Sequence, residues 1–356
     1  MESSGVRKEH AVIGYPVIDA DGHLTEPMTA YRERIPEPYS TARELFPQDG
    51  WDRDLGRMGH RVADPERELA DIDAEGIDTA VLFPTAGLSI GNVRDPARAR
   101  VLATAYNQWL HEFCSASPER IKGVGIVGLQ EVESAVEELE RLVELGMVAV
   151  QVPTYVAWRK LSDRELDPFY AAVEKLNVPI AVHSQPRDAA GTDRFDKFLA
   201  IHAVTHPFEQ MIAMTQLIFG GVLERYPGLK VGFLESGAGW VPYWMDRLDE
   251  EWEKRGDVEA PLCTRAPSEY VKSGRCYFGV ECEELTIPDA IRHIGDRCLL
   301  YSSDNPHWDT DWPHSVEKLR KRDDLTEENK HRILCQNAAD FYGVPVSEIA
   351  AVPAQG

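Results

Sequence analysis

Asp21 and His23 stand two apart with Gly22 between them, directly after the apolar run PVIDA (16–20). On extended backbone, residues i and i+2 point the same way, so a carboxylate and an imidazole at this spacing can share one ion. The glycine lets the backbone come close without steric cost. Other short apolar runs end in similar chemistry. VPIAVH (178–183) ends in His183 and KVGFLE (230–235) in Glu235; RCYFGV (275–280) is followed by Glu281, and RCLLYS (297–302) by Ser303, Asp304, Asn305, Pro306 and His307. Imidazole and carboxylate donors suit Zn²⁺, Mn²⁺ or Fe²⁺, and no cysteine falls on this pattern. Each residue alone has a plainer reading. Asp-x-His arises by chance, His183 could be a hydrogen-bonded core residue, and Asp304 could cap a helix. Recurrence at several run ends favours a metal centre.

The elements that must position these groups are repeated βα units. Eight apolar, β-branched runs alternate with helical segments: PVIDA, DTAVLF (78–83), KGVGIV (122–127), MVAVQV (147–152), VPIAVH, KVGFLE, RCYFGV and RCLLYS. Clear helices span 96–116, 132–146 and 167–176. This alternation predicts an α/β fold, a (β/α)₈ TIM barrel, whose functional groups gather at the carboxyl ends of the strands. No GxGxxG follows the first run, which argues against a dinucleotide fold. The runs ending at Pro84, Gly128 and Gln151-Val152-Pro153 carry no strong ligand. Residues 1–14 read as a polar N-terminal segment, 15–345 as the barrel and 346–356 as a tail. Residues 24–75, rich in proline and charge, read as a rim insertion after strand one, a lid or subdomain.

Sixty acidic residues against 38 basic ones give a net charge of −22. That surface repels nucleic acid and anionic membranes, so the expected partner is a small-molecule substrate, or another subunit in a homo- or hetero-oligomer. Scattered cysteines and a polar start without a signal-peptide core suggest a reduced, cytoplasmic protein.

Taken together, the segments VIDADGHLTEP (17–27), VPIAVH (178–183), HPFEQM (206–211), IFGGVLERYPGLKVGFLESGAGWVPYWMDRLDE (218–250) and YSSDNPHWD (301–309) resemble the amidohydrolase-related family, which includes metal-dependent hydrolases and non-oxidative decarboxylases. The resemblance implies that Asp21 and His23 are the first-strand ligand pair, His183 the fifth-strand ligand and Asp304 the eighth-strand group. Two departures stand out. The first ligand is Asp21 where the family usually has His, and Glu235 replaces the usual strand-six His. Gln151 occupies the strand-four place of the carboxylated lysine that bridges two metals in dinuclear relatives.

These residues support a divalent metal (Zn, Mn or Fe), as one or two ions per subunit. The metal set is Asp21, His23, His183 and Asp304, with Glu235 and His206 as further candidates; Asp304, Glu235 and His206 are the catalytic candidates. His202 and His206 lie four apart on a helical segment, so they share a face; His202 reads as a rim histidine. Arg159, His307 and Trp308 are substrate-binding candidates, with Arg187 as a rival to Arg159. The first reading is hydrolysis by metal-activated water. The alternatives are non-oxidative decarboxylation of a small or aromatic acid, oxygen chemistry at a dinuclear Fe or Fe/Mn site, and an inactive subunit partnering an active paralogue.

Overall fold

The computed structural model describes residues 14–46, 63–184 and 192–346. The apolar runs become eight strands: β1 (Ile18–Leu24), β2 (Thr79–Pro84), β3 (Ile121–Ile126), β4 (Ala149–Pro153), β5 (Ile180–His183), β6 (Val231–Phe233), β7 (Cys276–Val280) and β8 (Leu299–Tyr301). Each pairs in parallel with the next, giving the (β/α)₈ barrel that the alternation predicts. The seam between β8 and β1 is bridged just beyond β8. Asp304 N–H donates to the Asp21 carbonyl at 3.0 Å, and His23 N–H to the Asn305 carbonyl at 2.8 Å. The first and last ligand-bearing segments are thereby locked side by side.

Five labelled helices build much of the outer layer: α2 (Pro65–Glu75), α3 (Pro96–Cys114), α4 (Val132–Glu144), α5 (Asp167–Leu176) and α6 (Phe198–Phe219), while a short α1 (Met28–Arg32) precedes them. Helices α2 and α3 begin with Asp-Pro. Asp64 accepts from Arg67 N–H, and Asp95 accepts from the N–H groups of Ala97 and Arg98, while proline fills a position whose N–H would have no partner. On α4 the buried Val132, Ala135, Leu139 and Leu142 recur at helical spacing. Leu142 packs on β3, where a Cβ at Gly125 would lie 2.2 Å from Leu142 Cδ2, so the helix can approach only because that position is glycine.

Strand alternation sends Ile18, Ala20, Val81, Phe83, Val124, Ala149, Ala181, Leu234, Tyr277 and Leu300 into the barrel interior. The C-terminal helix Asn337–Tyr342 closes the end opposite the rim. The Tyr342 hydroxyl donates to the Ala20 carbonyl at 2.6 Å, and Phe341 packs on Tyr277 with ring centroids 4.8 Å apart. All six cysteines are free thiols. Among the described residues no helix is long and apolar enough to cross a membrane.

The segment expected as an insertion over 24–75 is shorter than its composition suggests. Leu24 ends β1, and Pro65–Glu75 is α2, the crossover helix between β1 and β2. Its charge-rich sequence PERELADIDAE conceals a buried edge at Glu68, Ile72 and Glu75. Residues 47–62, most of the N-terminal segment (1–13), the tail from 347 onward, and Arg187 lie outside the described residues.

Replacing Gly125 with alanine should lower stability by about 1–3 kcal/mol through overpacking against Leu142. Urea unfolding checks this, with metal content expected to stay unchanged.

Candidate metal centre

The register of β1 against β2 runs Ile18–Thr79, Asp19–Ala80, then Gly22–Leu82 and His23–Phe83. Ala20 and Asp21 together oppose Val81, which is a β-bulge. Its effect is to reverse the alternation. Ala20 faces the barrel interior, and so do Asp21 and His23, which strict alternation from Ala20 would not allow. Glycine is needed here, because a Cβ on Gly22 would sit 2.9 Å from Asp19 Oδ2 and 3.1 Å from Leu82 Cδ2.

Asp21, His23 and His183 converge, each offering one donor atom within 4.8 Å of the others. His183 Nε2 lies 3.7 Å from Asp21 Oδ1, and His23 Nε2 lies 3.6 Å from the same oxygen and 3.4 Å from Asp304 Oδ1. Both Asp21 oxygens and both Nε2 atoms are buried without a hydrogen-bond partner. Hydrogen bonds have already fixed the other ring nitrogens. His23 Nδ1 is 3.0 Å from the Pro84 carbonyl and His183 Nδ1 is 3.0 Å from the Ser184 carbonyl, so each Nδ1 carries a proton and each Nε2 is the nitrogen turned to the cluster. Ligands of a tetrahedral ion bound at roughly 2.0–2.1 Å stand roughly 3.3–3.5 Å from each other, a little beyond hydrogen-bond length. The observed spacings approach that value. Four converging, orphaned donors of this chemistry fit a divalent cation.

Glu235 is turned away from this set. Its Oε2 lies 3.2 Å from His183 Nδ1 and 3.3 Å from His206 Nδ1, and its Oε1 lies 3.6 Å from His307 Nδ1. The side chain therefore stands behind the His183 ring, facing histidines. His206 comes from α6, whose N-terminal part carries it to the mouth; His202, one turn earlier, packs on it with the rings tilted and their centroids 4.3 Å apart. His202 also meets the edge of Trp308 at 5.5 Å, which draws it into the site's wall. His307 Nδ1 lies 2.7 Å from Asp304 Oδ1, and its ring packs on His23 at 4.1 Å. Phe83 forms an apolar floor, 5.9 Å from His23 and 5.5 Å from His183.

Two positioning groups escaped the sequence reading. Gln210 on α6 donates from Nε2 to the carbonyls of Val182 at 3.0 Å and Leu234 at 2.8 Å, the residues just before His183 and Glu235. One amide thus ties the ends of β5 and β6. Glu26 accepts from the N–H groups of Thr85, Ala86 and Gly87 and from the Tyr31 hydroxyl. It fixes the loop after β2, from which Thr85 Oγ1 reaches His307 Nε2 at 3.3 Å. The only sequence signal for either was its place inside a family-like motif.

The backbone is strained at the chemistry. Glu235 (φ 55°) and Asp304 (φ 51°) both adopt the left-handed conformation at strand ends, which costs of order 1–3 kcal/mol each for a residue other than glycine. Trp158, on the loop after β4, does the same at φ 57°. Its neighbour Arg159 is paired with Glu165 at 2.5 Å and donates to the Gln130 carbonyl, so its charge is already matched. Glu281 lies exposed on the rim.

Burial raises Asp21 above the usual carboxylate range and pushes Asp304 up to about 8, the latter against the pull of His307. His23 is held well below its ordinary value, first by burial and then by His307 and His183, and stays neutral. For His183 burial acts downward, yet Glu235 and Asp21 outweigh it and raise the ring to about 9. For Glu235 burial acts upward, and His206 and His183 nonetheless draw it well below the carboxylate range. Buried carboxylates hold protons on their neighbours here, the charge that a divalent ion would otherwise bring.

Fold and cluster together define a (β/α)₈ barrel with a buried His/Asp cluster, of the donor chemistry that suits a divalent cation, on the rim at the carboxyl ends of its strands. A family model described as Amidohydrolase matches residues 18–344, and the chain belongs to that family. Among curated relatives, it is 28% identical over 292 residues to a 2-amino-3-carboxymuconate-6-semialdehyde decarboxylase of Dictyostelium discoideum, covering 79% of this chain and 77% of that one. It is 26% identical over 324 residues to a gamma-resorcylate decarboxylase of Polaromonas sp. strain JS666, covering 86% and 97%. Among solved structures, a dihydroxybenzoic acid decarboxylase from Polaromonas sp. JS666 with bound manganese and the inhibitor 2-nitroresorcinol superposes with a TM-score of 0.74, at 22% identity, covering 93% of this chain and 97% of that one. These relatives favour the carboxy-lyase reading over the hydrolysis that the residues alone put first.

Two outcomes follow from this geometry. A metal ion must displace the Nε2 proton of His183, so divalent-metal affinity should rise with pH and level off near 9. Calorimetric titrations with Mn²⁺ in buffers of different ionisation enthalpy would show the released proton, and flat affinity from pH 6 to 9 would contradict the assignment. Gln210→Leu should remove the tie between the two strand ends, leaving the Val182 carbonyl only its bond from Leu234 N–H and costing the Leu234 carbonyl its bond from Gln210; stability should fall by about 1–3 kcal/mol and metal retention weaken, read by melting temperature and elemental analysis.

Proposed function

We propose that the protein is a metal-dependent, non-oxidative decarboxylase of a small aromatic or unsaturated carboxylic acid. Asp21, His23, His183 and Asp304 would hold the ion, with manganese the first candidate on the strength of the relatives. When bound, such an ion acts as a Lewis acid towards the substrate's carboxylate and a neighbouring oxygen.

The observation that carries the reading is the Asp304–His307 pair. The two groups are 2.7 Å apart, and Asp304 and Glu235 hold His307 well above its usual range, against burial. With Asp304 ionised as a ligand, His307 beside it keeps the pair's proton at neutral pH. Hydrolysis by activated water needs a base at this place, whereas decarboxylation needs an acid. The pair delivers its proton to the carbon that bears the carboxylate. The carbon–carbon bond then breaks, its electron pair returns to the π system, and carbon dioxide leaves. One proton is consumed per turnover, and His307, reached by Thr85 Oγ1, is the group through which the pair regains it.

The remaining residues shape and insulate the site. Phe83 supplies a flat apolar floor, and Trp308 with His202 forms a wall suited to a planar substrate. Glu235 and the Ser184 carbonyl hold His183 in orientation. A net charge of −22 leaves attraction of an anionic substrate to the site itself.

The test is direct. Protein loaded with Mn²⁺ and given hydroxybenzoates or unsaturated dicarboxylic acids in D₂O should release carbon dioxide and place one deuterium on the carbon that carried it. Products of C–N or C–O cleavage without carbon dioxide would restore hydrolysis. Asp304→Asn should lower kcat by about 10²–10⁴-fold while the fold persists, and a variant with full turnover would remove Asp304 from the mechanism.

A further inference from the structure

We infer that His202, His206 and Glu235 form a second divalent-cation site at the barrel mouth, joined to the first through the His183 ring. One donor atom from each of the three lies within 4.8 Å of the other two. The two histidines are four apart on α6, so one helix face presents both rings, as in helical zinc motifs with this spacing. With a carboxylate from another element they make up a two-histidine, one-carboxylate set, the donor combination of many catalytic zinc and non-haem iron sites.

Geometry supports this independently of composition. His206 Nδ1 and Glu235 Oε2 are 3.3 Å apart and neither makes a hydrogen bond, although the His206 side chain is only 9% exposed. Its Nε2 is likewise buried and unpartnered. A buried imidazole with both nitrogens unsatisfied is costly unless something else occupies them. The spacing between the two side chains is roughly what two ligands of one ion bound at about 2.1 Å require. Asp309 Oδ2, 3.8 Å from His202 Nε2, stands at the solvent side as a further oxygen donor.

A second ion would add positive charge at the mouth, where an anionic substrate approaches so acidic a protein. The two positions are coupled, since Glu235 Oε2 is 3.2 Å from His183 Nδ1 while the opposite nitrogen of that ring faces Asp21.

The site stands apart from the decarboxylase reading, because its test counts ions and measures no turnover. Full-length protein is stripped with chelator, dialysed and titrated with Co²⁺ alone, following visible absorption and bound cobalt by elemental analysis. Wild type should saturate with two equivalents and two distinct spectra. The combined His202→Ala, His206→Ala variant should lose one equivalent and its spectrum, and Asp21→Asn with His23→Ala should lose the other. Wild type saturating at a single equivalent, or the histidine variant keeping both, overturns the inference. Should the double variant unfold, His202→Ala alone decides. Loss of a direct ligand should weaken the second Co²⁺ by more than the roughly 10–100-fold that outer partners cost, and unchanged affinity rejects the site.

Discussion

Three carboxylates, Asp21, Asp304 and Glu235, share a volume from which water is nearly excluded, and the rest of the molecule is arranged around that fact. A charge moved into such surroundings must be compensated by an opposite charge, or it takes up a proton. Both responses are visible. Asp304 holds its proton up to about 8, and His183 is raised to about 9 by Glu235 and Asp21. The hydrogen bonds around the cluster are not arranged to satisfy it from within, since the Pro84 and Ser184 carbonyls occupy the outward nitrogens of His23 and His183 and leave the inward ones bare. A scaffold that orients donors so carefully and leaves them unpaired is organised to receive a cation.

Holding that arrangement costs conformational freedom, and the fold meets the cost with contacts well outside the cluster. The bulge at Ala20 and Asp21 lets Asp21 and His23 both face inward above Ala20. Gln210 clamps the backbone just ahead of His183 and Glu235, and Glu26 gathers the N–H groups of the loop that supports His307. Glu235 and Asp304 sit in left-handed backbone, a strain that persists only where neighbours over-determine it. For Asp304 that neighbour is the seam, where its N–H is bonded to the Asp21 carbonyl. Barrel closure and assembly of the candidate metal centre go together, because the segments carrying Asp21, His23 and Asp304 take part in both.

The family shares a barrel and a metal, while the reaction depends on what the rim places beside them. Here the family's strand-six histidine is replaced by a carboxylate, and imidazoles arrive from α6 and from the loop after β8 to face it. On the decarboxylase reading proposed above, the proton that the reaction consumes is kept at the Asp304–His307 pair, and the charge that Glu235 adds is set against His183 and His206. A hydrolase built on the same scaffold would need a base where the decarboxylase reading has an acid.

The sequence alone determined the barrel and the first cluster. Apolar runs of strand length alternating with helical segments leave few other folds, and the barrel places every strand's carboxyl end on one rim, so Asp21, His23, His183 and Asp304 could be named from their positions at run ends. It also put His202 and His206 on one helix face, because that relation spans a single turn. Tertiary structure alone decided which donors share which space. Glu235 turned towards three histidines and away from Asp21, His202 proved part of the wall beside Trp308, Arg159 was drawn to Glu165, and part of the supposed insertion became α2. Local periodicity fixes the face on which a side chain emerges. Distances across a barrel depend on strand stagger, on a bulge that reverses alternation, and on how far α6 overhangs the mouth, and none of these is written in the spacing of residues along one segment.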